Sequence, residues 1–176
     1  MKRFKRIINK IWSYFLVHIL KIEIKETRTF NNIKLTINRL EKGGNTYFSR
    51  SSYRESINPF YQLIQKLNKP DIVLDIGANY GFTSNIFANI FKESKVIAIE
   101  ADKNLCKYIE LNKQNNLADN LIILQAICDE KAEEVKNFSI NPLYSQDNRV
   151  KGDSIFWKKI KTRTTSIDSI LKNANP

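Results

Sequence analysis

The stretch Asp71–Gly81, DIVLDIGANYG, with VIAIE following and ending at Glu100, limits what this chain can fold into more than any other part of it. Ile72, Val73 and Leu74 form a short continuous apolar run between Pro70 and the glycines, the pattern of a parallel strand buried on both faces. The chain must then turn. Gly77 and Gly81 bracket that turn, where a side chain would block close approach of the backbone to a ligand, and Asn79 tolerates left-handed geometry better than most residues. A helix can start there, with Thr83 and Ser84 early and Ile86, Phe87, Ile90 and Phe91 as its apolar stripe. Its unpaired N–H groups and positive dipole end would face whatever sits above the strand.

Val96 to Ile99 reads as the second strand of a nucleotide-binding βαβ unit. Glu100 falls 25 positions after Asp75, near the offset at which a strand-end carboxylate grips the ribose hydroxyls of an adenosine. The glycine spacing separates the cofactors. A dinucleotide loop wants G-x-G-x-x-G to hold a pyrophosphate, whereas this loop is G-x-x-x-G with an acid two residues before its first glycine. S-adenosylmethionine carries no phosphate but has a sulfonium and an ammonium group. Asp75 near its amino-acid part and Glu100 on its ribose are complementary to it.

The blocks DIGANYG, VIAIEAD, LNKQNN and LIILQAICDE, in that order, resemble those of the FkbM family of S-adenosylmethionine-dependent methyltransferases. Asn79, where the wider methyltransferase class has a glycine, is the usual form in that family. The likeness runs from about Tyr53 to the TTSIDSIL segment ending at Leu171. The resemblance implies a class I methyltransferase fold with Asp75, Gly77, Ala78, Asn79 and Gly81 around the methionine part of the cofactor and Glu100 on the ribose. It places Gln125 and Ala126, with Ile127, beside the adenine. It also implies O-methylation of a hydroxyl group on a glycan or other small metabolite. Members of the family continue past this segment into a strand with a "DvEG"-like motif. The sequence reaches Pro176 without one, so about half of the usual sheet is expected: either the chain is a truncated or partial product, or the segment from Phe138 to Leu171 substitutes for the missing side.

A length of 176 residues with 42% hydrophobic residues fits one domain with a real core. The net charge of +11 is uneven: +11 over residues 1–70, −4 over 71–150 and +4 over 151–176. The nucleotide-binding region is thus acidic and the basicity belongs to its flanks, where a solvated Lys-rich surface explains it as well as an anionic partner does. Cys106 and Cys128 read as two separate buried thiols in a reducing compartment. With no CxxC and one histidine, no zinc site is expected.

Residues 1–28 form a basic and apolar N-terminal segment, MKRFKRIINKIWSYFLVHIL and onward. The apolar part is too short to span a bilayer and no small-residue cleavage site follows it. As a helix it either packs on the rest of the protein or lies on an anionic membrane face, with Trp12, Tyr14, Phe15 and Leu16 inward. Residues 29–52 read as a β-hairpin, with a strand from Thr29 to Arg39, a turn at Gly43-Gly44 and a second strand from Thr46 to Ser49. Residues 53–176 hold the partial methyltransferase domain, entered through a helix from Ser56 to Leu67 with Phe60, Leu63, Ile64 and Leu67 at core spacing.

The expected architecture is therefore α/β: a Rossmann-like class I methyltransferase fold, three-layered around a mostly parallel central sheet, preceded by an N-terminal helix and β-hairpin. The expected location is cytoplasmic, with peripheral contact at the inner membrane face as the alternative if the N-terminal helix does not pack on the protein. No catalytic base is identified. His18 lies outside the recognised domain, and Asp168 would serve only if the tail folds across the cofactor. Two rivals remain: RNA methylation, which the basic flanks favour although the Asn/Asp-Pro-Pro-aromatic motif is absent, and a truncated, inactive module acting at a membrane surface.

Overall fold

The computed structural model describes residues 12, 15, 20, 22–49, 59–141, 144–150, 152 and 157–174. The expectation of an N-terminal helix falls mostly outside these residues. Among them, no helix is long and apolar enough to cross a membrane.

The chain enters through an antiparallel hairpin, β1 (Lys25–Phe30) and β2 (Ile33–Asn38). Its two-residue turn is Asn31-Asn32, both left-handed at φ 47° and 67°. Asparagine is among the few side-chain-bearing residues that accept this region readily, so the pair turns the chain as Asn-Gly would. The hairpin thus lies earlier than the glycines suggest. Gly43 and Gly44 belong to a helix, α1 (Lys42–Ser49), where a second strand was expected. They are there for space: a Cβ on Gly43 would come 2.6 Å from Ser145 Oγ, and one on Gly44 would come 3.0 Å from the Tyr80 ring.

Strands β3 (Ile72–Ile76), β4 (Lys95–Glu100) and β5 (Leu121–Gln125) form a parallel sheet in the order β3-β4-β5. Helices α2 (Phe82–Ile90) and α3 (Lys103–Asn116) cover one face. Asp102 caps α3 by accepting the Asn104 N–H at 2.9 Å, and Leu117 ends it in the left-handed region. On the other face, α4 (Ile167–Ala174) sets Ile170 against Ile97, Ile99 and Ala126. The result is the three-layer α/β fold.

Among the described residues, the segment from Phe138 to Leu171 adds no strand to β3. β6 (Ile127–Cys128), β7 (Val135–Ile140) and β8 (Lys158–Thr165) form a second sheet, with β6 parallel and β7 antiparallel to β8. Among the described strands, β3 has β4 as its one neighbour.

The hairpin is bound to the domain by apolar packing and by an amide ladder. Ile33, Leu35 and Ile37 are buried with Tyr80, Phe82, Ile86, Leu105 and Tyr108. The Asn112 amide accepts the Thr36 N–H at 2.7 Å and donates to the Thr36 and Tyr80 carbonyls at 3.0 and 2.8 Å. Asn116 repeats the pattern one turn later on Lys34, at 2.7 and 2.8 Å. Two side chains of α3 therefore satisfy alternate peptides of β2 as another strand would. Residues 59–64 are helical, as the sequence suggests, but of the four expected core positions Ile64 alone is buried, while Phe60, Leu63 and Leu67 are exposed and Tyr61 packs against the core instead.

Candidate functional site

At the carboxyl end of the parallel sheet, β3 gives way to a turn that is held against β4. The Gly77 and Ala78 N–H groups both donate to the Ile99 carbonyl, at 2.9 and 3.1 Å. Three residues of this turn are left-handed: Gly77 at φ 75°, Asn79 at 54° and Gly81 at 74°. The turn carries the Asn79 N–H to the Glu100 carboxylate, which accepts it at 2.9 Å on Oε2 and takes the Asp102 N–H at 2.9 Å on Oε1. Glu100 is 5% exposed, and burial raises its carboxyl to about 7. Its two oxygens are thus held side by side at the cavity wall, where two neighbouring hydroxyl donors could meet them.

A cavity of about 360 Å³ opens beside this carboxylate. That is the scale of a small-molecule or cofactor site. Gly77, Asn79, Glu100, Ala126 and Ile127 line it, so the structure brings together these five of the residues singled out in the sequence. A Cβ built on Gly77 meets nothing within 4 Å, so the backbone there lies bare.

Asp75, Ala78, Gly81 and Gln125 stand outside the described lining. Asp75 accepts the Ser84 hydroxyl at the start of α2, and burial raises its carboxyl. Ala78 is buried in the apolar layer under α3. Gly81 is tight against α3, where a Cβ would come 2.8 Å from Ile109 Cγ2. Gln125 pairs with Glu100 in the ladder and is exposed. Asp168 is exposed on α4 and does not line the cavity, and His18 lies outside the described residues. Both cysteines are free and only half-buried. The Cys106 thiol is pushed up to about 12, first by burial, and donates to the Glu100 carbonyl, whereas Cys128 lines the cavity.

The opposite wall comes from residues that sequence reasoning missed. Tyr47 of α1 and Ser145, Gln146 and Asn148 of a short 3-10 turn and its exit face the glycine loop. Behind them is Glu41, 8% exposed. Its carboxylate caps α1 by accepting the Gly43 and Gly44 N–H groups at 2.6 and 2.5 Å. It also accepts the Ser145 N–H at 2.9 Å, the Ser145 hydroxyl at 3.1 Å and the Tyr80 hydroxyl at 3.1 Å. An acid just ahead of Gly-Gly hints at a helix cap, but no local pattern announces a partner 104 positions away.

Residues 25–130, from the start of β1 to just past β6, match the model of a family described as Protein-L-isoaspartate(D-aspartate) O-methyltransferase. No curated protein matches the chain. Among solved structures, precorrin-6y C5,15-methyltransferase from Geobacter metallireducens GS-15 is similar at 19% identity and a TM-score of 0.37, over 42% of this chain and 39% of that one. The alignment thus spans less than half the length of that protein.

Proposed function

The chain belongs to the protein-L-isoaspartate(D-aspartate) O-methyltransferase family, and from that premise we propose that it is an S-adenosylmethionine-dependent O-methyltransferase acting on a hydroxyl group of a glycan or other small metabolite. Methyltransferases of this kind use S-adenosylmethionine as methyl donor. The observation that carries the reading is the buried Glu100 carboxylate, oriented by two backbone N–H groups and facing a cavity bordered by bare backbone at Gly77. In this reading, Glu100 receives the ribose hydroxyls, and the left-handed Gly77 leaves room for the amino-acid part.

Bound there, S-adenosylmethionine would supply an electrophilic methyl group whose departing electron pair stays on sulfur. The chain's own contribution is to align the acceptor oxygen with that methyl group and to keep the site dry. The lining supports a neutral acceptor. Tyr47, Asn79, Ser145, Gln146 and Asn148 offer uncharged polar groups, Glu100 is an acid, and no Lys, Arg or His is among the described lining residues. The finer placement in the FkbM family is supported by the blocks from DIGANYG to LIILQAICDE.

The test is calorimetric titration of S-adenosylhomocysteine into the wild-type chain and Glu100→Ala, followed by labelled methyl transfer to methyl glucoside and to an isoaspartyl peptide. Micromolar binding that the variant loses supports the cofactor site, and a folded wild type that does not bind overturns it. Transfer to the isoaspartyl peptide alone would refute the hydroxyl acceptor.

A further inference from the structure

Glu41 does more than cap a helix. A cap needs an acceptor for the first free N–H groups of α1, and Gly43 and Gly44 provide those. The other three donors to the same carboxylate come from elsewhere in the chain: the Tyr80 hydroxyl, next to Asn79 in the glycine loop, and the N–H and hydroxyl of Ser145. The Ser145 Oγ also receives the Asn79 amide at 3.1 Å. One buried carboxylate therefore joins the end of the hairpin, the glycine loop and the segment 144–148, which supplies Ser145, Gln146 and Asn148 to the cavity wall. Gln146 adds a tie from that segment to α1, donating to Thr46 Oγ1 at 2.7 Å.

The glycines beneath this contact fit the same purpose. A side chain on Gly43 would come within 2.6 Å of Ser145 Oγ and 2.8 Å of its backbone nitrogen, so α1 can approach the segment only without one.

We propose that Glu41 is a positioning residue for the ligand cavity, locking the segment 144–148 at the distance from the glycine loop that the cofactor requires. It does not line the cavity and touches no reacting atom; it acts through Ser145 and Asn79, which do line it. The inference rests on the cofactor reading above for the identity of the ligand, while the lock itself can be measured without any ligand.

Glu41→Asp separates the two roles. Aspartate is a preferred helix cap and can still serve α1, but one methylene less withdraws the carboxylate from Ser145. Three quantities are compared between wild type and variant: thermal midpoint, hydrogen exchange of the Ser145 amide, and S-adenosylhomocysteine affinity by calorimetry. The expected result is a midpoint near that of wild type, with Ser145 exchange accelerated about tenfold and affinity reduced about five- to twentyfold, the effect of losing one or two charge-assisted hydrogen bonds. Ser145→Ala should reduce affinity similarly, and the double variant should be little worse than either single one, since both cut the same connection.

Wild-type exchange and affinity in Glu41→Asp would overturn the proposal. So would a lowered midpoint with unchanged affinity in the folded protein, which would leave Glu41 as a cap alone. If the wild type does not bind S-adenosylhomocysteine, the cofactor reading fails, and the exchange comparison still decides whether Glu41 holds the segment.

Discussion

Gly77 and Gly81 have nearly the same backbone, φ 75° and 74°, yet replacement by alanine should damage the protein in opposite ways. An L-residue forced into the left-handed region costs about 1–2 kcal/mol, and that applies to both positions. At Gly77 nothing else is added, because the new Cβ meets no heavy atom within 4 Å. At Gly81 the Cβ would come 2.8 Å from Ile109 Cγ2 and 3.1 Å from Cγ1, and Ile109 is fully buried between α3 and the sheet. Overpacking of that kind adds about 1–3 kcal/mol. Gly81→Ala should therefore lose about 2–5 kcal/mol and Gly77→Ala about 1–2 kcal/mol in urea unfolding at constant m-value. Binding should rank them the other way. Gly77 borders the cavity, so a methyl group there should weaken S-adenosylhomocysteine at least about tenfold in calorimetry, as a misplaced contact at a packed site does, while folded Gly81→Ala keeps most of its affinity. Equal losses of stability, or a Gly77→Ala variant that binds as wild type, would refute the assignment of one glycine to packing and the other to the ligand.

Glu100 predicts a pH dependence. Its folded carboxyl is raised from 4.5 to about 7, chiefly by burial, so the folded state favours the protonated form. That stabilisation is complete below the ordinary value and is lost as pH rises through about 7, amounting to roughly 3 kcal/mol. Urea midpoints of the ligand-free protein should fall between pH 5 and 8, Glu100→Gln should flatten the trend, and S-adenosylhomocysteine should bind more tightly at pH 8 than at pH 6. Asn112→Leu should destabilise by about 3–5 kcal/mol, because it leaves the Thr36 N–H and two carbonyls without the partner that α3 gives them; a loss below 1 kcal/mol in urea unfolding would mean that water replaces the ladder. Asn32→Gly should raise stability by about 0.5–1 kcal/mol, since glycine adopts the φ of 67° without strain. A lowered thermal midpoint would contradict the turn assignment.

The parallel strands, the glycine turn and Glu100 at the end of β4 were legible because each is written locally. An apolar run between glycines makes a buried strand, and an acid at a strand end faces what lies above the sheet. The hairpin was legible as a kind of element but not in its place, since Asn31-Asn32 and Gly43-Gly44 are both good turn signals and only packing against Tyr80 and Ser145 assigns the glycines to a helix. The far wall of the cavity was not legible at all. Glu41 and Ser145 are polar residues in ordinary local contexts, and their meeting depends on how β6, β7 and β8 return the chain to α1. By itself, the sequence determined the glycine-loop half of the cavity, because backbone conformation and strand-end position are properties of neighbouring residues. Tertiary structure decided what closes that half: a buried carboxylate is stable only where the fold gathers enough donors around it, and those donors come from three separate parts of the chain.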